Sequence, residues 1–420
     1  MQHLMPELGF QPSRYRHHFA LDPDVRCLNH GMLGACPLAV MQRQSELRAQ
    51  MERQPAAFVL RTLPGLLDDA RQALCHLIGA EPADLVLLPN VTTALSAVLR
   101  SRAFKPGDEI LTTDHAYLSC NNLLDFIARS TGAVIVVARI PVPVADAQAV
   151  VGAVLAQVTA RTALAVLDHV TSPTAIVFPI ASLVQQLAAL GVDTLVDGAH
   201  APGMVPLDVE AIGAAYYAGD CHKWLCTPRG AGFLHVRRDR QAGLHPPVIS
   251  RGYGETAAQR PRLHLEFDWL GTADPTALLC IPVALQFLAE VIPGGLPAVL
   301  AHNDALALQA AALVSDQLPA RRVAPDTMVG SMVALQLDVS APASARFAAA
   351  ELQDLLYDRH AIDVAVIAWP SPSKRVVRLS AQLYNTREEY AALGAALAQC
   401  LGMSSTPAAG AQQRLAGSVS

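Results

Sequence analysis

Short apolar runs alternate with amphipathic stretches between residues 85 and 236. A parallel sheet is built this way, because each strand needs a helix to carry the chain back to the same edge. Leu85-Val86-Leu87-Leu88 predicts a strand that stops at Pro89-Asn90, followed by a helix over Thr92–Arg100. Asp108–Thr113 predicts the next strand, with a helix from Asn122 to Arg129 behind it. Ala133–Ala138, Ala163–Leu167 and Val192–Val196 predict three more strands, the second of these ending at Asp168 and the third at Asp197. Ile180–Leu190 reads as a helix closed by Gly191. Ala231–Val236 reads as a late antiparallel strand.

The texture changes after about residue 280, where Ala/Leu-rich helical stretches surround two short strands near Met332–Leu337 and Val376–Leu379. The expected fold is α/β: a large domain with a mostly parallel central sheet, and a smaller α+β C-terminal domain. The expected boundaries are an N-terminal segment over 1–35 that packs with the small domain, a large domain over 36–275, and a small domain over 276–403. A small, polar tail over 404–420 is expected to be disordered. Pro-rich stretches at 141–143 and 246–247 read as loops.

Composition narrows the function. Hydrophobic residues make up 52% of the 420 residues and charged residues 16%, which calls for a large core and argues against disorder. Aromatic content of 5% and a net charge of −5 leave little for a nucleic acid to bind. Eight cysteines are scattered without a CxxC pair, so no metal site is expected, and a reduced cytoplasmic setting fits. The N-terminus shows no secretory pattern, and no uninterrupted apolar run is long enough to cross a membrane, so no membrane partner is expected.

Functional groups cluster where the strands end, which is where open α/β sheets bind ligands. Asp197 closes one strand, in Val196-Asp197-Gly198-Ala199-His200-Ala201-Pro202-Gly203. Lys223 follows about 25 residues later, in Gly219-Asp220-Cys221-His222-Lys223-Trp224-Leu225. This order suits pyridoxal 5'-phosphate. A lysine amine forms a Schiff base with the cofactor aldehyde, and a carboxylate keeps the pyridine nitrogen protonated so that the ring acts as an electron sink. Asn90-Val91-Thr92-Thr93 sits between a strand and a helix, so it can bind phosphate at a helix start or simply cap the helix through threonine. His200 and Lys223 each have a structural reading too, and it is their combination that points to the cofactor.

The sequence resembles the isopenicillin-N epimerase-like branch of the class V aminotransferases, relatives of the cysteine desulfurases. The matching runs are Leu28-Asn29-His30-Gly31, Asn90-Val91-Thr92-Thr93, Asp114-His115-Ala116-Tyr117, Asp197 to Gly203, Cys221-His222-Lys223-Trp224, Trp269-Leu270-Gly271-Thr272, and Arg378-Leu379-Ser380 with Tyr384-Asn385. The resemblance implies a fold-type-I PLP-dependent enzyme acting on an α-amino acid or its derivative. It implies catalytic roles for Lys223, Asp197 and His200, with His200 near the phenolic oxygen of the ring. Thr92, Thr93 and His222 would hold the phosphate, and Tyr117, in preference to His115, would stack on the ring. Thr272 would reach the phosphate of a neighbouring subunit in a homodimer with shared sites. Arg378, read as following a short apolar strand, would grip the substrate carboxylate, with Asn29 and Arg61 as further substrate-side candidates.

Three departures bear on the substrate. The family run Asn-His-Gly-Ser-Phe-Gly stands here as Asn29-His30-Gly31-Met32-Leu33-Gly34, Asp220 replaces a frequent Asn, and Ala273 replaces a frequent Arg. Deprotonation at Cα opens epimerisation, transamination and β-elimination alike. C–S lysis of a cysteine-derived substrate is the alternative reaction, and a non-catalytic protein of the same fold is the alternative class. The sequence lacks a GxGxxG run after a strand, which argues against a nicotinamide dehydrogenase.

Overall fold

The computed structural model describes residues 12–256, 260–337 and 347–402. The tail expected over 404–420 lies outside the described residues. Strands are numbered along the chain. The short β1 (Arg26–Cys27) stands apart from the central sheet. That sheet takes β2 (Leu85–Leu88), β3 (Glu109–Thr113), β4 (Val134–Ala138), β5 (Thr162–Asp168), β6 (Thr194–Gly198), β7 (Tyr216–Asp220) and β8 (Gly232–Val236). Their order across the sheet is β2-β8-β7-β6-β5-β3-β4. Five neighbours, β4, β3, β5, β6 and β7, run parallel, and β8 is antiparallel to both β7 and β2.

The apolar runs are continuous because both faces of the sheet are covered. Side chains alternate between two cores along each strand. Val86, Leu88, Ile110, Leu164, Val166, Leu195, Ala218 and Leu234 join one cluster. Helices Val91–Ser101 and Leu118–Thr131 supply much of the rest of it, with Leu263 and Phe267 of helix Arg262–Phe267. Leu85, Leu87, Leu111, Ala165, Leu167, Val196, Tyr217 and Phe233 join the other, against Leu63–Ile78, Ile180–Ala189 and Ile281–Glu290.

The expected strands match β2 to β6 and β8, and β8 is antiparallel as expected. The pattern missed β7, whose Ala218, Gly219 and Asp220 carry little apolar signal. The helix after β3 begins at Leu118, earlier than expected.

A second sheet is antiparallel, in the order β12-β13-β10-β9. It is built from β9 (Ala320–Arg322), β10 (Met332–Leu337), β12 (Ala365–Ala368) and β13 (Arg375–Ser380), while β11 (Ile362–Asp363) pairs in parallel with β1. The two strands expected in this region are β10 and β13, and β9 and β12 add to them. Helices Gly295–Ser315, Ala349–His360 and Arg387–Cys400 pack on this sheet through Leu306, Ala310, Val314, Leu352, Leu356, Leu393 and Leu397. Gly295–Ser315 is long and apolar enough by length and composition to cross a membrane. Here its buried residues, from Val299 to Val314, make it a core helix.

Candidate active site

The carboxyl ends of β2, β5, β6 and β7 share one edge of the central sheet, and β12 and β13 face them across a cleft of about 700 Å³. Strand register places Asp168, the last residue of β5, opposite Asp197 of β6. Both carboxyls line the cleft, with Asp220 at the end of β7 and Lys223 just beyond it.

The loop after β6 packs on the lysine loop. Gly203 has φ 82°, and a Cβ there would lie 2.7 Å from the Trp224 carbonyl carbon, so a side chain would push the two loops apart. Cys221 and His222 donate their backbone N–H groups to the Ala231 carbonyl at 2.9 and 3.3 Å, which closes the other side of the lysine loop.

Lys223 Nζ lies 3.3 Å from Asp220 Oδ2. Asp220 Oδ1 accepts the Val91 N–H at 2.9 Å, at the start of helix Val91–Ser101. The acidic departure at 220 is therefore paired twice over. Asn90, not a threonine, caps that helix: its Oδ1 accepts the Thr93 N–H at 2.9 Å and the Thr93 hydroxyl at 3.0 Å. Thr92 lines the cleft, while Thr93 is occupied by the cap. His222 also lines the cleft, and its Nδ1–H donates to the Ala231 carbonyl at 2.9 Å.

Burial pushes Asp197 up to about 6, against the Ala199 N–H and the Lys223 charge, which pull it down. Burial and then the charge of Asp197 hold Asp168 well above the usual carboxylate range. His200 is kept neutral: burial, then the positive charges of Lys223, Arg378 and His222, hold it well below its ordinary value. Its Nδ1 is buried without a hydrogen-bond partner among the described residues.

Arg378 lies inside β13 rather than after a strand, because Arg375–Ser380 is one continuous element. Burial lowers it to about 10, so it stays cationic at neutral pH. Its Nη1 donates to the Ser172 carbonyl at 2.6 Å, and its buried Nε has no partner among the described residues. The rest of its donor fork is available to an anion.

Other expected residues fall elsewhere. Tyr117 lines the cleft. His115 does not: it is fully buried, hydrogen-bonded through Nδ1 to Thr174 Oγ1 at 2.6 Å, and packed 4.5 Å from the Trp369 ring. It props the loop that carries Ser172. Asn29 is buried beside the cleft and donates to Asp363 Oδ1 at 3.0 Å. Arg61 and Thr272 are exposed and lie outside the cleft of their own chain. Asp168, Ser172 and Trp369 line the cleft and were not singled out from the sequence. A strand ending in Asp168 alongside one ending in Asp197 was the available signal for the first.

This donor set fits pyridoxal 5'-phosphate. A buried strand-end carboxyl suits the ring nitrogen, a nearby primary amine suits the aldehyde, and a helix start with threonine and histidine donors suits the phosphate.

The comparisons agree. The model of the class-V aminotransferase family matches residues 39–393. The chain is 35% identical over 395 residues to isopenicillin N epimerase of Streptomyces clavuligerus, covering 91% of this chain and 96% of that protein. It is 30% identical over 402 residues to a probable chloroplastic L-cysteine desulfhydrase of Arabidopsis thaliana, covering 90% and 82%. In fold it matches the cystine C–S lyase C-DES in complex with cysteine persulfide, with TM-score 0.76 and 22% identity over 90% of this chain and 98% of that one. The chain belongs to the class-V aminotransferase family and has the fold-type-I architecture of PLP-dependent enzymes. Its cofactor is pyridoxal 5'-phosphate.

The raised Asp197 has a pH signature. In the cofactor-free protein the folded state keeps a proton between pH 3.8 and about 6 that the unfolded state has lost. Stability from this group therefore falls as pH rises through that window and then levels off. Asp197→Asn lacks the fall. The melting temperature of Asp197→Asn, minus that of wild type, is expected to grow from pH 4 to pH 6 and then stay flat, in thermal unfolding without cofactor. A difference independent of pH would show that Asp197 does not titrate there.

Proposed function

We propose that this chain removes the Cα proton of an α-amino acid or amino-acid derivative, with Lys223 as the base. The observation that carries this reading is convergence: the Lys223 amine, the Asp197 carboxyl and the buried Arg378 guanidinium line one cleft. When bound, the cofactor supplies an electron sink conjugated to the substrate amine. Asp197 would hold the ring nitrogen protonated. Lys223 would hold the aldehyde covalently at rest, and its amine would serve as the proton acceptor at Cα. Neutral His200 would contact the phenolic oxygen, Thr92 and His222 the phosphate, and Tyr117 the ring face. Arg378 would fork onto the α-carboxylate.

A second reading, C–S lysis by β-elimination, is favoured by the desulfhydrase relative. It needs a leaving group at Cβ and no second acid on the opposite face. A desulfurase needs an accessible thiol, and among the described residues no cysteine lines the main cleft. Cys120 borders an adjoining recess of about 40 Å³, but burial holds its thiol well above the ordinary value.

The test is incubation with a panel of amino acids in D2O. Deuterium at Cα with inversion identifies epimerisation; sulfide and pyruvate from cysteine derivatives identify lysis; a keto acid with the aminated cofactor identifies transamination. The wild type is expected to be yellow and bleached by borohydride, and Lys223→Ala to lose the covalent linkage while remaining folded. No exchange with any amino acid, in a protein that does bind the cofactor, would leave the non-catalytic reading.

Arg378→Lys keeps the charge and loses the fork. It is expected to raise KM for amino acids about tenfold or more, with absorbance unchanged, and carboxyl-blocked substrates should lose their disadvantage. Unchanged KM would place the carboxylate elsewhere.

We further infer a cytoplasmic homodimer with shared sites. The eight free cysteines fit a reducing compartment. Met32, Leu33 and Leu118 expose 55%, 49% and 69% of their surface at the cleft mouth, and Thr272 is exposed outside its own cleft, as a residue serving a neighbour would be. Sedimentation is expected to show a dimer that loses cofactor on dilution to monomer. A fully active monomer would contradict the shared site.

A further inference from the structure

Residues 28–34 cross from the small sheet to the lysine loop. At one end the Leu28 carbonyl accepts the Ser380 N–H at 3.1 Å, and the Gly31 N–H donates to Ser380 Oγ at 3.1 Å. Ser380 ends β13, the strand that carries Arg378. At the other end His30 Nε2 lies 3.1 Å from the Lys223 carbonyl oxygen. Gly34 has φ 75°, and a Cβ there would lie 2.2 Å from the His222 carbonyl oxygen and 2.7 Å from that of Lys223. The segment thus touches the backbone of the cofactor lysine twice.

His30 is fully buried, its ring 4.8 Å from that of Trp224. Two partners fix its tautomer. The Ala35 N–H, which can only donate, points at Nδ1 at 3.3 Å, so Nδ1 is the acceptor nitrogen. Nε2 therefore carries the proton and gives it to the Lys223 carbonyl, which can only accept. The Tyr384 hydroxyl, 3.0 Å from Nδ1, completes the set as a donor. The Gln382 amide nitrogen lies 3.3 Å from Nε2 and would favour the opposite tautomer. That tautomer would turn both the Ala35 N–H and the Lys223 carbonyl against like groups, so it loses. The Gln382 amide has Cys226 Sγ at 3.9 Å instead.

We infer that His30 is a positioning residue that ties the Lys223 backbone to the strand of Arg378, so that the base and the carboxylate grip keep a fixed separation, with the Tyr384 hydroxyl holding the ring from its Nδ1 side. The inference rests on the proposed roles of Lys223 and Arg378. Displacing a reacting group by about 1 Å can cost about 100-fold in rate. The Lys223 carbonyl also accepts the Cys226 N–H at 3.2 Å, so the loop retains its turn when His30 is replaced.

The experiment compares wild type with His30→Gln, which keeps an N–H donor near the position of Nε2, and His30→Leu, which keeps bulk without a donor. His30→Leu is expected to lower kcat about tenfold or more, while cofactor affinity, titrated by absorbance, stays within about twofold. His30→Gln is expected to recover most of kcat, and Tyr384→Phe to fall between. In the cofactor-free protein, amide exchange over 221–227 should rise in His30→Leu and stay low in His30→Gln. Equal impairment of Gln and Leu, or wild-type kcat in Leu, would overturn the inference. If His30→Leu does not fold, wild-type kcat and exchange in Tyr384→Phe, which loses the hold on the ring from its Nδ1 side, would overturn the tie. If the wild type binds no cofactor and exchanges no Cα proton, the functional reading fails, and the amide-exchange arm still decides whether the tie exists.

Discussion

Crowding of buried carboxyls at the ends of β5, β6 and β7 is the constraint on which the rest of the site depends. Asp168 and Asp197 face each other in register, and Asp220 ends the next strand. Burying an unpaired carboxylate costs several kcal/mol, so such groups protonate or find a cation. Asp197 is pushed up to about 6 and Asp168 is held well above the usual carboxylate range, while Asp220 is paired with Lys223 and the Val91 N–H. A protonated ring nitrogen placed against Asp197 would relieve that burial. The same desolvation that strains the empty carboxyl would strengthen its interaction with the cofactor, because a low local dielectric acts on both.

The scaffold makes this crowding possible. With both faces of the sheet covered by helices, alternate residues of each strand belong to opposite cores, and only the strand ends remain for chemistry. The single reversal at β8 matters as well. It returns Ala231 beside the end of β7, where its carbonyl collects the N–H groups of Cys221 and His222 and the His222 ring. The lysine loop is held from one side by this strand and from the other by the segment around His30. Neither contact uses the lysine side chain, which leaves the amine free to exchange partners during turnover.

Much of this was legible in the sequence, for reasons visible residue by residue. Strands covered on both faces need runs such as Leu85–Leu88 and Ala163–Leu167. Asp197 and Lys223 were found because a strand end and a short-range order of motif residues mark them. β7 was missed because its apolar signal is weak, and Gly219 is small for a packing reason, the approach of the Phe233 ring, which no periodicity reports. His115 was ranked below Tyr117 but kept beside it as a candidate. A single sequence cannot say that its ring turns inward to Thr174. Arg61 was a candidate through the resemblance alone, and it lies exposed outside the cleft. The pairing of Asp220 was also invisible, since it needs the start of a helix far away in sequence.

The division of labour within the cleft explains why proton removal and substrate choice separate in this fold. The groups that would act on the Cα proton sit on the central sheet and its loops. Gln353, Ala365, Ile367 and Trp369, which line the opposite side of the cleft, belong to the small sheet, its helix and the segment after β12, joined by Met32 and Leu33 from the crossing segment. This outer wall is largely apolar, and the residues that replace the family's Ser-Phe pair are part of it. Substitution there would change the shape of this wall without touching Lys223, Asp197 or Arg378. The epimerase and desulfhydrase relatives carry different reaction names, and on the proposed roles the outcome in this chain would depend on what the outer wall holds at Cβ and on which face of Cα a proton returns.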